Sequence, residues 1–261
     1  MSRISEVFAK LKSKRRGGFI PFITAGDPDL SVTEELLREL AKAGADIIEV
    51  GVPFSDPVAD GPVIQRASER ALGRGTNVKS VLECIAGAKR RTDVPIVLFS
   101  YYNPLLQFGL EQLATAAPLA GVDAILVTDL IPEEAGTWTL LLAANNLDPI
   151  FLVAPTTSDD RLKLIAQQAR GFVYSVSRTG VTGTRENINE NAESLIQRIR
   201  RATPLPVAVG FGVSTPAQVR EVWRFADAAV VGSAIVNEIE RLSGDRDLVR
   251  KVGQFARSLT R

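Results

Sequence analysis

The chain has 261 residues, 45% apolar and 23% charged, with a formal net charge of +1; this suits a globular protein with a sizeable core and lacks the basic excess that nucleic acid or an anionic membrane would call for. No apolar run approaches the length of a membrane span, and the one cysteine, Cys84, excludes an intrachain disulfide and fits a reducing compartment, hence the cytoplasm. Histidine is absent, which removes Ser-His-Asp and Cys-His nucleophilic systems, imidazole bases and the usual zinc sites; no metal site is expected, and proton transfer falls to Asp, Glu, Tyr, Lys or water.

The N-terminal stretch MSRISEVFAKLKSKRRGG carries basic residues without an apolar h-region, and predicts an amphipathic helix rather than a secretion signal. Short apolar, β-branched runs then recur: GFIPFI from Gly18, DIIEV from Asp46, PIVLF from Pro95 and DAILV from Asp123, followed by PIFLV from Pro149, GFVYSV from Gly171, PVAVG from Pro206 and DAAVVG from Asp227. Between them lie stretches of helical period. SVTEELLRELAKAG sets Leu36, Leu37, Leu40 and Ala43 on one face, and ERALGR through NVKSVLECIAGAKR, LEQLATAAPLAG, EAGTWTLLLAANN, SDDRLKLIAQQA, NAESLIQRIRRA and TPAQVREVWRFA follow suit. A short extra helix is expected over AIVNEIERL and a final one near DRDLVRKVGQFARSLT. Alternating strands and helices with near-continuous apolar strands predict an α/β fold with a parallel sheet buried on both faces. Eight such units in this length predict a (β/α)8 TIM barrel, a single domain over 1–261, with an extra N-terminal helix and a short extra helix after strand 8.

The two longest intervals between strands follow the second and the sixth, and hold PFSDPVADGP and SRTGVTGTREN. In a barrel both loops leave the C-terminal ends of strands, where active sites sit. Such loops are expected to move in the absence of ligand.

The acids sort by face. Asp46, Asp123 and Asp227 precede their strands and belong to the bottom face, where stability is the expected role; Glu49, Asp60 and Asp129 end or follow strands at the top. Strand alternation puts Ile47 and Glu49 on one side and Ile48 and Val50 on the other. With the latter pair against the helices, Glu49 points into the barrel mouth, where burial raises a carboxyl's pKa toward the working pH. An acid–base group and one half of a structural ion pair both remain open there. Asp60 lies in VADGP, on a loop stiffened by Pro53, Pro57 and Pro62; a turn cap and a catalytic group remain open for it, and a cap for Asp56.

Glycines follow strands 6, 7 and 8: Gly180 and Gly183, Gly210 and Gly212, and Gly232 beside Ser233 at a helix start. Backbone N–H groups of this kind build phosphate sites in barrels. The eight lysines fall in helical or flanking segments, so no Schiff-base lysine is expected in the mouth. Phe22, Phe99, Tyr101, Leu126, Leu152, Tyr174 and Phe211 lie on or just after strands as core or pocket lining, and Tyr101 and Tyr174 carry hydroxyls there.

PFITAGDP, EVGVPFSDPVADGP, YYNP, SRTGVTG, VGFGVS and VVGSAIV occur in this order. Together they resemble the tryptophan synthase α-subunit family, from about Phe19 to Val236. The resemblance implies retro-aldol cleavage of indole-3-glycerol phosphate to indole and glyceraldehyde 3-phosphate. It also implies no cofactor in this chain, and an αββα assembly with a β subunit that carries pyridoxal phosphate and receives the indole. Carried over by position, it makes Glu49 and Asp60 catalytic and places indole against Phe22, Tyr174 and Phe211. It couples Thr182 to the catalytic Asp, gives phosphate to Gly183, Gly212, Gly232 and Ser233, and sets Asp56 toward the β subunit. Tyr101 is expected in the same pocket. The competing expectations are another phosphate-binding barrel enzyme, such as an epimerase or an indole-glycerol-phosphate synthase, and a catalytically weak barrel that activates a partner.

Overall fold

The eight apolar runs all become strands: β1 (Gly18–Thr24), β2 (Ile48–Gly51), β3 (Ile96–Ser100), β4 (Ala124–Val127), β5 (Asp148–Val153), β6 (Val173–Val176), β7 (Val207–Gly210) and β8 (Ala228–Val231). In the computed structural model, which describes residues 1–176, 185–210 and 212–261 (185–191 as backbone only), they form a closed parallel barrel in sequence order, β1 pairing with both β2 and β8. Around it run α1 (Arg3–Ser13), α2 (Leu30–Lys42), α3 (Pro62–Gly73), α4 (Val78–Lys89), α5 (Tyr102–Phe108) and α6 (Leu110–Ala120). They are followed by α7 (Gly136–Ala144), α8 (Asp159–Gln168), α9 (Arg185–Ala202), α10 (Pro216–Val222), α11 (Ser233–Arg241) and α12 (Leu248–Leu259). The expected barrel, N-terminal helix and extra helix after the last strand are all present.

Strand alternation divides the apolar side chains into two sets. Ile23, Ile48, Val50, Leu98 and Ile125 face outward into the layer between sheet and helices. Ile20, Ile47, Val97, Leu126, Ile150 and Val230 fill the barrel. The bottom of that inner core is closed by α1, whose Ile4, Phe8 and Leu11 recur at helical spacing and join the interior set, with the Phe8 ring 5.7 Å from Phe172. Its N-cap, Ser2, accepts a hydrogen bond from Ser5 N.

The bottom-face acids do structural work, as their position implied. Asp46 accepts from Phe19 N at 2.9 Å, Asp123 from Ile96 N at 2.9 Å and Asp227 from Val207 N at 2.8 Å. Each carboxylate, sitting just before its own strand, ties down the start of the preceding one.

Two local readings change. The single helical stretch from ERALGR to AGAKR is two helices: α3 stops at Arg74, Gly75 takes φ +79°, and Asn77 opens α4 in a capping box with Ser80. The seven-residue α5 begins inside YYNP, with Pro104 in its first turn and Gly109 at φ +99° ending it.

Candidate active site

Glu49 sits on the inner wall of β2, level with Phe22 on β1 and Val97 on β3. It is fully buried, and neither carboxyl oxygen has a hydrogen-bond partner among the described residues. Among the described residues no cation meets this carboxyl, which favours the acid–base reading over the ion pair. Burial alone pushes its pKa from 4.5 to about 8. A buried polar group without a partner costs stability, and this one is aimed at the inside of a barrel whose lower end is already plugged.

Asp60 reaches the same space from the loop between β2 and α3. Its backbone N–H bonds Pro57 O in a tight turn, and Gln65 Nε2 donates to its carbonyl from the first turns of α3. The side chain accepts from the Tyr101 hydroxyl at 3.2 Å, and that hydroxyl in turn accepts from Ala59 N at 2.9 Å. Tyr101, just past β3, thus holds both the loop backbone and the carboxylate, while Phe54 stacks obliquely on its ring at 5.1 Å. Burial raises the Asp60 pKa to about 6, partly opposed by the Tyr101 hydrogen bond. Asp60 does not cap the next helix: Gly61 is the N-cap of α3 and no side chain caps it. Asp56 is exposed; its carboxylate takes a hydrogen bond from its neighbour Ser55 and its carbonyl one from Val58 N.

Tyr174 lies within the electrostatic reach of both acids. It lies on the inner face of β6, buried, with its hydroxyl ionisation driven upward by burial and then by the charges of Glu49 and Asp60. Space for this ring comes from β7: a Cβ on Gly210 would stand 2.0 Å from the Tyr174 Oη and 2.6 Å from Cζ. Likewise a Cβ on Gly51 would stand 2.6 Å from Cζ of Phe22, whose ring meets Phe99 edge-on at 5.3 Å. Gly51 did not stand out in sequence, and Gly210 stood out only as a phosphate-site glycine, because each partner ring sits on another strand. Gly210→Ala is expected to cost about 1–3 kcal/mol by overpacking, read as a lowered urea midpoint. Adding Tyr174→Phe should recover only part of this, since Cζ stays within clashing distance.

Just past β8, Gly232 caps α11 with φ −103° and ψ −83°, and no side chain caps the helix, leaving Ser233 exposed in its first turn. Gly212 needs glycine for its backbone, at φ +76°, since an added Cβ would meet nothing within 4 Å. An uncapped helix start and a glycine turn suit an anion. Thr182, Gly183 and Phe211 lie outside the described residues.

An open cavity of about 690 Å3 lies at the other end of the barrel, between α1, Trp223 and the end of α9. Its cations, among them Lys12 and Arg200, stand in or beside the last turns of helices, where they complement the helix dipole. No helix among the described residues is long and apolar enough to cross a membrane.

A family profile described as tryptophan synthase alpha chain matches residues 8–261. The chain is 51% identical to the tryptophan synthase alpha chain of Geobacter sulfurreducens over 259 residues, covering 99% of this chain and 98% of that one. It is 47% identical to that of Solibacter usitatus over 261 residues, covering 100% and 98%. Among solved structures, tryptophan synthase subunit alpha from Legionella pneumophila superposes with a TM-score of 0.92 at 36% identity, over 99% of this chain and 97% of that one. A chain of tryptophan synthase from M. tuberculosis in its aminoacrylate-bound form superposes with a TM-score of 0.88 at 33% identity, over 100% of both.

Proposed function

The chain belongs to the tryptophan synthase alpha chain family, and we propose that it carries out that family's reaction through Glu49 and Asp60. The reaction is the lyase cleavage of indole-3-glycerol phosphate to indole and glyceraldehyde 3-phosphate, a step of tryptophan biosynthesis. What carries the assignment of residues is the Glu49 carboxyl: wholly buried, without a partner among the described residues, and aimed into the barrel.

The cleavage needs a proton on indole C3, charge stabilisation at the ring nitrogen, and loss of a proton from the glycerol hydroxyl next to the breaking bond. With its pKa near 8, Glu49 is mostly protonated at neutral pH and donates to C3. Asp60, with its pKa near 6, is mostly ionised and accepts a hydrogen bond from the ring N–H, stabilising the positive charge that develops there. Glu49, now a carboxylate, takes the hydroxyl proton; the carbon–carbon bond breaks, the aldehyde forms, and the electron pair returns to the ring. Glu49 ends protonated, so the cycle closes without an external acid. Two carboxyls whose surroundings push their pKa values apart divide the acid and anion roles between them.

Phe22, Tyr174 and Phe211 would enclose the indole, and Gly183, Gly212, Gly232 and Ser233 the phosphate, with Thr182 beside Asp60. The phosphate anchor would supply remote binding energy for orientation.

As an alpha chain, the protein works with a beta subunit. We assign that contact to the Asp56 side of the loop. In support, Val58 is 87% exposed there, and an apolar groove of about 400 Å3 runs between Pro53–Ser55 and α5. The αββα stoichiometry, pyridoxal phosphate in the beta subunit, cytoplasmic residence and a single-domain chain belong to the same reading.

A bell-shaped pH profile tests the division of roles. The kcat/KM for indole release should fall below about pH 6, as Asp60 takes up a proton, and above about pH 8, as Glu49 loses one. A profile flat across this range would remove both carboxyls from the chemistry.

A further inference from the structure

A chain of charges joins three segments around the mouth. Arg70, in the third turn of α3, grips Asp27 with two nitrogens, Nε to Oδ1 at 2.8 Å and Nη2 to Oδ2 at 2.8 Å. Its remaining nitrogen, Nη1, reaches Glu240 Oε1 at 2.7 Å. Glu240 is in the last turn of α11, and Arg66, one turn before Arg70, grips the same carboxylate at 2.8 and 2.7 Å. Asp27 follows β1 and is 2% exposed. Every nitrogen of the Arg70 fork is thus committed, and the two carboxylates it bridges sit on different elements.

These elements carry the two ends of the proposed site. Asp60 lies one residue before Gly61, the N-cap of α3, and the uncapped start of α11 is the proposed phosphate anchor. Near these ends, Val63, Ile64 and Ala67 of α3 pack with Val236 of α11 against Phe22. That apolar contact sets how closely the helices approach, but it is not itself directional. The bidentate pairs farther along both helices are directional. They fix the register of α3 against α11, and hence the distance from Asp60 to the phosphate anchor.

We propose that Arg70 is a positioning residue for the cleavage reaction, clamping α3 to α11 so that the indole end and the phosphate end of the site stay at the span of one substrate molecule. The proposal rests on the site described above. It makes a distinction that a merely structural ion pair would not. A ligand that spans both ends feels the clamp, whereas a ligand that fills one end does not.

The test uses Arg70→Lys, which keeps the charge but loses the fork, and Glu240→Gln, which loosens α11 while sparing the Arg70–Asp27 pair. Urea unfolding first establishes that each is folded. Indole release from indole-3-glycerol phosphate and competitive inhibition by glycerol 3-phosphate are then measured on the same preparations. The expected result is a fall in kcat/KM of about tenfold or more, as misplacement of reacting groups produces, with inhibition by glycerol 3-phosphate unchanged within about twofold. Unchanged turnover in both variants overturns the clamp, and so does an equal loss of turnover and inhibition. If glycerol 3-phosphate fails to compete in the unmodified protein, the phosphate anchor itself is misplaced, and the clamp falls with it. If it competes there and turnover survives both substitutions, only the clamp falls.

Discussion

Replacing Glu49 with Gln should lower indole release by about a thousandfold, the middle of the range for loss of a general acid–base group, while making the protein more stable. Both effects come from one fact, the burial of an unpaired carboxyl. Gln matches the acid in shape but has no proton to give to indole C3 and no carboxylate to recover one. The stability effect depends on pH. The folded-state pKa is about 8 against an ordinary 4.5. Below about pH 4.5 both folded and unfolded chains hold the proton, and the acid carries no ionisation penalty. Between the two values the unfolded chain ionises and the folded one does not, so the native protein loses stability as pH rises, and the loss levels off above about pH 8. Gln never ionises. The stability advantage of Glu49→Gln should therefore open from about pH 4.5 and reach on the order of a few kcal/mol by pH 8. Urea unfolding of both proteins at the two ends of that window measures it. An advantage that does not grow with pH would mean the carboxyl is not held neutral by burial. Activity and stability moving in opposite directions mark a group kept for its chemistry against the preference of the fold.

The barrel was legible because buried parallel strands leave a local record: short β-branched runs, evenly recurring, with helical periods between them. Strand alternation even put Glu49 on the correct face, since Ile48 and Val50 needed the helix side. Beyond the strand ends that logic stops. The place of Asp60 depends on the Tyr101 hydroxyl, 41 residues further on, and no period in the loop announces it; the family resemblance, not the spacing, marked it as catalytic. The same holds where two strands share one volume. Gly51 and Gly210 are glycines because Phe22 and Tyr174 occupy their side-chain space, a fact of neighbouring strands rather than of either segment. Arg70 meets partners 43 and 170 residues away, and on its own helix looks like any solvated arginine. Helix α5 leaves no such mark: of its 7 residues Leu105 alone is buried, so no apolar face of helical spacing announces it.

Asp60→Asn should cut indole release by about 10²–10³-fold, the scale found when one preorganised electrostatic contact to a developing charge is removed. The carboxylate is placed by the loop rather than by the strand, so charge and position have to be told apart. Asn keeps the size of the side chain and can still accept from the Tyr101 hydroxyl, so the loop should hold its turn through the Ala59 and Gln65 contacts, which do not involve the carboxylate. What is lost is the full negative charge facing the indole nitrogen. In the ground state that nitrogen is neutral, and an amide oxygen can accept its hydrogen almost as well. In the transition state the ring carries positive charge, and only the carboxylate stabilises it in proportion. The loss should accordingly fall on kcat, with KM for indole-3-glycerol phosphate changing by no more than about threefold, because an interaction confined to the transition state lowers kcat without weakening substrate binding. The acidic limb near pH 6 should disappear with the carboxyl that causes it, leaving only the alkaline limb of Glu49. An Asn variant that keeps its kcat but binds substrate poorly would instead assign Asp60 to binding, and leave the developing charge on the ring to some other group.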